Sequence, residues 1–204
     1  MIHPDTEVRT VSAQIGNGVF ATAPIKKGTI VVVRDKYDTC LSQDEYQHLP
    51  QPMKAAMETY MYHDRHGNLI LSWDHARYMN HNCSSNTMLT AYNIEIAIRD
   101  INPGDEITTE YGLLNIQEPY DLCCNCPNCR ERLRDDDIDR YGPIWDEQIR
   151  ESLLMIYGTE QPLIGLLDRN TRNRLQQFCD GEAAYSSVMN LKWRLNQTGS
   201  SVKS

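Results

Sequence analysis

Four of the chain's seven cysteines fall within seven residues, in the segment Cys123-Cys124-Asn125-Cys126-Pro127-Asn128-Cys129. This spacing is typical of a metal site rather than of a disulfide framework. Cys124, Cys126 and Cys129 would place three thiolates on one tight turn, and Cys123 with Cys126 and Cys129 is also a good spacing. Zinc in a structural site takes four ligands in a tetrahedron. A fourth ligand must therefore come from elsewhere, which ties this segment to a distant part of the fold.

The length of 204 residues fits one domain, or one domain with an appendage. The net charge of −8 disfavours direct nucleic-acid binding and suits a basic partner, such as a lysine-rich protein tail. Residues 1–5 show no leader pattern, and no apolar run approaches the roughly 20 residues of a membrane span. We therefore expect an intracellular, soluble protein without membrane contact. The cytoplasm is favoured over the nucleus because no basic cluster resembles a nuclear signal.

Short extended segments separated by turns predict a mainly β fold up to residue 112. Gly16-Asn17-Gly18 is predicted as a turn, and Ser42 followed by Glu45 predicts a capping box at a helix start. After Cys129 the pattern becomes helical, beginning with a charged linker over 134–137. The predicted strands cover 8–14, 19–21, 29–34, 59–63, 69–73, 88–92, 95–99 and 106–110, and the predicted later helices cover 143–157, 171–178 and 182–195.

Three segments in a fixed order carry a family resemblance. Arg77-Tyr78-Met79-Asn80-His81-Asn82-Cys83-Ser84-Ser85-Asn86 comes first, Glu106-Ile107-Thr108-Thr109-Glu110-Tyr111-Gly112 follows, and the cysteine segment comes last. In this order they resemble the SET-domain protein-lysine methyltransferases with their post-SET segment. The resemblance implies a SET-type fold of several small curved sheets with a pseudo-knot. It divides the chain into a SET domain (8–115), a zinc-binding post-SET segment (116–134), a helical C-terminal extension (135–197) and a flexible tail (198–204).

The resemblance also implies two bound groups, S-adenosylmethionine and Zn²⁺. Cys83 stands where the family supplies the fourth zinc ligand, and the family's Cys-x-Cys start favours Cys124 over Cys123. Stripping the zinc should weaken cofactor binding, because Cys83 follows directly on the cofactor segment. Asn86 is expected to hold the threaded loop. The implied zinc ligands are Cys83, Cys124, Cys126 and Cys129, and the implied cofactor-binding residues are Gly16, Asn17, Gly18, Asn80, His81 and Tyr111.

For catalysis the resemblance implies Tyr111 and Tyr60 as the walls of a lysine channel. Tyr62 is an alternative to Tyr60, because it lies two residues on and so on the same strand face. Thr109 stands where the family usually has an aromatic residue that tunes how many methyl groups the channel admits. A small Thr leaves room for more methylation or for a blocking water, so the product number stays open. Asn82 and Ser85 depart from the family's usual Ser and Pro.

The implied activity is methyl transfer from S-adenosylmethionine to the side-chain amine of lysine in a histone or another basic protein. An alternative is a SET-like module that binds lysine peptides with little or no transfer. A third interpretation is a zinc-knuckle interaction protein without a cofactor. The C-terminal helices lie outside the resemblance and could cap the peptide groove or form a homodimer face.

Overall fold

The computed structural model describes residues 1–122, 124 and 126–193. In this part of the chain the backbone forms twelve short strands and four α-helices, with 3₁₀ turns between several of them. The strands are β1 (Thr6–Ser12), β2 (Gly16–Ala21), β3 (Ile30–Val33), β4 (Thr39–Leu41), β5 (Tyr62–His63), β6 (Leu69–Leu71), β7 (Asn80–His81), β8 (Thr87–Leu89), β9 (Ile94–Ala97), β10 (Glu106–Thr109), β11 (Tyr120–Asp121) and β12 (Arg132–Leu133). The helices are α1 (Gln43–Gln47), α2 (Gln51–Met57), α3 (Asp137–Leu153) and α4 (Arg169–Cys179).

The strands assemble into several small sheets rather than one large one. The sheet orders are β1-β2-β10-β7, β3-β9-β8, β4-β6-β5 and β11-β12. The pairing of β7 with β10 is parallel, with Thr108 opposite Asn80 and Thr109 opposite His81. This pairing brings two of the three sequence segments side by side. The predicted architecture of several small sheets is confirmed.

Local sequence signals explain where two elements begin. Ser42 accepts a hydrogen bond from the Glu45 amide and donates its own amide to the Glu45 carboxylate, so the predicted capping box at α1 is confirmed. The turn predicted at Gly16-Asn17-Gly18 is wrong by a few residues. The turn covers 13–15, and Gly16 already pairs with Ser12 as the first residue of β2. Gly16 has φ +85°, which a glycine adopts without strain and which lets β2 start directly after the turn.

Helix α3 begins at Asp137, inside the segment that the sequence predicts as a charged linker. Acidic side chains in a first helical turn interact favourably with the helix dipole, and Asp137 and Asp139 occupy that turn. Pro143 lies inside the helix, where it removes one backbone hydrogen bond. The run of aspartates is therefore the start of a helix rather than a spacer.

The prediction of a helix over 182–195 is wrong for residues 182–193. Residues 194 and 195 lie outside the described residues. Within 182–193 only a 3₁₀ turn at Val188–Leu191 forms. The reason is the Asp146 carboxylate on α3, which accepts hydrogen bonds from the Tyr185 hydroxyl, the Ser187 hydroxyl and the Val188 amide. These bonds hold the chain open before the turn, and Val188 and Leu191 still reach the core.

The C-terminal segments and the strands share one hydrophobic core. Ile94 and Ile96 of β9 lie in the same buried cluster as Trp145 and Ile149 of α3 and Leu175 of α4. Polar contacts add to this packing, since the side-chain amide of Gln161 accepts from the Ile30 amide and donates to the Gly28 carbonyl. The predicted division at residue 135 therefore does not separate two hydrophobic cores.

None of the helices in the described residues is both long enough and apolar enough to cross a bilayer.

The shared core predicts a large difference between two isoleucines of α3. Ile149 is fully buried, whereas Ile144 is 58% exposed on the opposite side of the helix. Ile149→Ala should lower the free energy of unfolding by about 2–5 kcal/mol, while Ile144→Ala should change it by less than about 0.5 kcal/mol. Urea denaturation followed by circular dichroism measures both values. A single transition for the strands and helices is expected, and two separate transitions would contradict the shared core.

Candidate active site and metal centre

The two segments joined by β7 and β10 position Tyr111. The Tyr111 hydroxyl donates to the Met79 carbonyl at 2.9 Å, and the Tyr111 amide donates to His81 Nδ1 at 3.2 Å. The rings of His81 and Tyr111 lie 5.4 Å apart. Burial raises the pKa of Tyr111, so its hydroxyl stays neutral. Hydrogen bonds thus hold both the hydroxyl and the backbone amide of Tyr111 in place.

The cysteine segment folds back onto Cys83. The Cys124 sulfur lies 3.3 Å from the Cys126 sulfur and 3.6 Å from the Cys129 sulfur. The Cys83 sulfur lies within 4.8 Å of the Cys124 sulfur. Four sulfurs around zinc at about 2.3 Å would lie about 3.8 Å from each other, and the two distances from the Cys124 sulfur are close to this value. Cys123 lies outside the described residues.

Backbone amides surround these sulfurs in the way a thiolate site requires. The Cys83 amide donates to the Cys124 sulfur at 3.3 Å, and the Arg130 amide donates to the Cys83 sulfur at 3.4 Å. Such donors orient ligands and spread the negative charge of thiolates. The residues present therefore fit a zinc ion, with Cys83, Cys124, Cys126 and Cys129 as the ligands that would hold it.

His81 also lies beside this cluster, with its Nε2 3.2 Å from the Cys83 sulfur. Burial and the nearby Arg130 lower the pKa of His81 to about 4, so the ring is neutral. Because Nδ1 accepts the Tyr111 amide, the single ring proton belongs on Nε2, which then donates to Cys83. A ring nitrogen of His81 and the sulfurs of Cys83 and Cys124 lie within 4.8 Å of one another, so His81 links the metal cluster to Tyr111.

Asn86 fastens β10 from the side. Its amide nitrogen donates to the Glu106 carbonyl at 2.8 Å, and its amide oxygen accepts from the Thr108 amide at 2.9 Å.

Asn82 and Ser85 are the two residues of the same segment that depart from the family's usual pattern. Asn82 accepts the Ser84 amide at 2.8 Å and so closes the turn that carries Cys83. Ser85 is buried without a hydrogen bond to its hydroxyl, and nothing in the structure explains it.

The glycine strand and the Asn80 side chain meet at one point. Asn80 donates to the Asn17 carbonyl at 3.0 Å and to the Glu106 carboxylate at 2.7 Å. A Cβ on Gly18 would lie 2.5 Å from Glu106 Oε1 and 2.7 Å from Val11. Glycine is therefore favoured there, because a side chain would displace the Glu106 carboxylate that accepts from Asn80.

A cavity of about 470 Å³ opens beside Tyr111. Its wall includes Thr109, Tyr60 and Tyr62. Tyr62 lies on β5, and burial raises the pKa of its hydroxyl. Tyr60 belongs to a 3₁₀ turn instead, is 38% exposed and packs edge-on against Tyr78. Both tyrosines reach the cavity, Tyr62 in its interior and Tyr60 at a more open position.

A buried charge pair that the sequence did not reveal joins these features. Arg130 donates to the Glu110 carboxylate at 2.6 Å and lies 3.8 Å from the Asp137 carboxylate. Glu110 and Asp137 are fully buried, and the Arg130 guanidinium stacks over Tyr141 and Trp145. Burial raises the pKa of Glu110 to about 7, although Arg130 opposes the shift. The only sequence signal was Arg130 following directly on Cys129.

The last described residue of the C-terminal extension, Trp193, contacts two residues of the cavity wall, His63 and Asn115. Trp193 stacks on the His63 ring at 5.1 Å and donates its amide to Asn115 at 2.7 Å. Asn115 in turn donates to the carbonyls of His63 and Leu191. The Trp193 indole also covers Gly67, in the hairpin turn between β5 and β6. The extension therefore runs from the core to the edge of the cavity.

Comparison with known proteins places the strand-rich part in a family. Residues 16–112 match the model of the SET domain family. This match confirms the resemblance for residues 16–112, which contain the first two of the three segments. A search of curated protein sequences gave no match.

Two solved structures are similar to the chain. A Plasmodium falciparum protein provisionally assigned as a histone methyltransferase is 22% identical, with a TM-score of 0.40 over 54% of this chain and 95% of that protein. KRYPTONITE, solved in complex with mCHG DNA and SAH, is 24% identical, with a TM-score of 0.41 over 63% of this chain. The match spans 29% of the KRYPTONITE chain.

The sulfur cluster predicts one bound zinc ion per chain. Cys126→Ser should remove most of the zinc and lower the melting temperature, because a three-ligand site loses affinity and metal binding is coupled to folding. Cys40→Ser is the matched control, since Cys40 is exposed and lies outside the cluster. Elemental analysis of the purified proteins gives the zinc content. Equal zinc in both variants would rule out the assigned ligands.

Proposed function

We propose that this protein is a zinc-containing, S-adenosylmethionine-dependent protein-lysine methyltransferase. The observation that carries the proposal is the position of Tyr111. Its hydroxyl is fixed by Met79, its backbone is tied to His81, and its side chain lines a cavity of about 470 Å³. The match to the SET domain family supports the same chemistry.

The cofactor would bind where Asn80, His81 and the glycine strand meet. The contacts that support this are those of Asn80 with Asn17 and Glu106, and the close approach of Glu106 to the backbone that Gly18 permits. When bound, S-adenosylmethionine supplies a methyl group on a positively charged sulfur. Gly16, Asn17, Gly18, Asn80, His81 and Tyr111 are the residues that we propose to hold it.

The chain's own contribution to the reaction is mainly positioning. A lysine amine attacks only in its neutral form, whereas its ordinary pKa is about 10.4. A confined cavity beside a sulfonium disfavours the ammonium form by desolvation and by like charge. Tyr111, with Tyr60 or Tyr62, would align the amine with the methyl carbon, and such alignment accounts for much of the rate enhancement in two-substrate reactions.

The cavity wall suits a cationic substrate side chain. Its lining includes the acidic residues Asp38, Glu58, Glu95 and Glu118 but only two arginines, Arg34 and Arg77. The net charge of −8 adds a field that attracts basic proteins. We propose a lysine in a basic protein, such as a histone, as the substrate.

The alternative function, a lysine-peptide-binding module, would use the same cavity. Thr109 favours it, because a small residue replaces an aromatic wall at this position of the cavity. The contacts of Trp193 with the cavity wall favour a capping role for the extension over a homodimer face. Incubation with labelled S-adenosylmethionine and a panel of basic proteins separates the enzyme from the module, which would bind peptide without incorporating label.

Removal of the Tyr111 hydroxyl should stop transfer without unfolding the protein. Tyr111→Phe keeps the ring against His81 and loses only the bond to the Met79 carbonyl. We expect turnover to fall by about 100-fold or more, because no hydroxyl at this position orients the amine, with zinc content and melting temperature close to wild type. Tyr60→Phe and Tyr62→Phe, assayed in parallel, identify the second channel tyrosine. Full activity of Tyr111→Phe would contradict the proposed role.

A methyl group on Gly18 should weaken cofactor binding specifically. Gly18→Ala would displace the Glu106 carboxylate, because the new Cβ overlaps Glu106 Oε1, and so disturb the hydrogen bond that holds the Asn80 side chain. Calorimetric titration with S-adenosylmethionine should show affinity reduced by about tenfold or more, equivalent to about 1.4 kcal/mol. Gly104→Ala, at a turn glycine with positive φ and open space around it, controls for backbone strain. Equal losses in both variants would argue against a cofactor site at Gly18.

A further inference from the structure

Glu95 is a carboxylate on a strand whose neighbouring side chains are apolar. Ile94 and Ile96 point into the main core and are almost completely buried. Successive side chains of a strand alternate between faces, so Glu95 points the other way. There it joins Thr109, Tyr111 and the rest of the cavity wall. Glu95 lies outside the three segments that carry the family resemblance.

The carboxylate is held in place at the wall. Thr87 donates its hydroxyl to Glu95 Oε2 at 3.0 Å. The Thr109 hydroxyl is buried and makes no hydrogen bond of good geometry, but it is close enough to Glu95 to favour the charged form. Burial raises the pKa values of Tyr111 and Tyr62, and the Glu95 charge acts in the same direction. All three residues line the same cavity.

Glu95 lacks the partner that such a carboxylate normally has. No Lys, Arg or His among the described residues forms an ion pair with it, although Arg34 lines the same cavity. Arg34 is already engaged, since it donates to Asp64 at 3.1 Å. Burial raises the pKa of Glu95. Buried charges in proteins are normally paired, so an unpaired carboxylate facing an open cavity is suited to a cation supplied from outside.

We propose that Glu95 accepts an N–H of the target lysine amine beside Tyr111 and that it limits transfer to two methyl groups. This inference rests on the proposed function. A carboxylate has about four acceptor sites, and Thr87 uses one of them. The bound ammonium first loses one proton to water. The neutral amine then keeps an N–H towards Glu95 while its lone pair faces the methyl carbon.

The limit on methyl number follows from counting hydrogens. An unmodified neutral amine has two N–H groups, and a monomethylated one has one. Each can therefore hold Glu95 and attack in the required orientation. A dimethylated neutral amine has no N–H, so it would leave Glu95 unpaired and lose its orientation. The Glu95 carboxylate thus opposes a third transfer even though the small Thr109 leaves space for it.

Two small probes test the inference without requiring transfer. n-Butylammonium reproduces the lysine side chain, and n-butyltrimethylammonium carries the same charge without an N–H. Titrations followed by NMR should show that the wild-type protein prefers n-butylammonium by about tenfold or more, the usual effect of a charge-assisted hydrogen bond. Glu95→Leu should abolish this preference, and Glu95→Gln, which keeps an acceptor, should retain part of it. Equal affinity of the wild type for both cations overturns the proposal.

A second arm uses S-adenosylmethionine, histone peptides and mass spectrometry of the products. The wild type should stop at two added methyl groups, whereas Glu95→Leu should transfer the first group at least tenfold more slowly and accumulate a third. A trimethylated wild-type product, or unchanged rates and products in Glu95→Leu, overturns the role of Glu95. If n-butylammonium is preferred but no methyl group is transferred, the role in amine recognition stands and the proposed enzymatic function fails. Melting temperatures of both variants, matched to wild type, show that the effects do not come from unfolding.

Discussion

The buried ion pair between Arg130 and Glu110 is the contact on which the arrangement of the other parts depends. Arg130 follows directly on the last cysteine of the cluster, and its amide donates to the Cys83 sulfur. Its guanidinium contacts Glu110, the residue before Tyr111, and approaches Asp137 at the start of α3. One side chain therefore joins the cysteine segment, the strand that leads to the cavity, and the C-terminal extension.

Such a pair is stable only when its neighbours complete it. Removing two charges from water costs several kcal/mol per ion, and their attraction repays this only in good geometry. Here the Gly112 amide also donates to Glu110, and two aromatic rings cover the guanidinium. One carboxylate oxygen of Glu110 and one of Asp137 still make no hydrogen bond among the described atoms. Loss of either partner would leave an uncompensated buried charge, so the three parts are expected to form and to unfold together.

The sequence predicted the features that depend on short patterns. The capping box at Ser42, the many short strands and the family of residues 16–112 follow from local residue types and from three motifs in order. It failed where a distant side chain decides the local structure. Asp146 holds 185–188 open through three hydrogen bonds, so a segment with helical periodicity forms only a single turn. Periodicity within the segment contains no information about a carboxylate some 40 residues earlier.

The candidate site was predictable to a similar extent. The motifs predict roles for Asn86, Cys83 and Tyr111. Each residue makes contacts that suit its expected role, and those roles stay predictions. Arg130 and Glu95 were not found, because a lone arginine or a glutamate in a strand is ordinary until its surroundings are known. Both become informative only through burial and through the absence or presence of a partner of opposite charge.

Trp193 connects the C-terminal extension to the wall of the cavity. The indole covers the hairpin turn at Gly67 and stacks on His63, which itself lines the cavity. The C-terminal extension thus supports part of the cavity wall, whereas Asn80 bonds to strand β2. Under the proposed function, changes near Trp193 would alter the fit of substrate proteins while the contacts of Asn80 stay the same. A segment outside the proposed reaction would then influence the choice of partner.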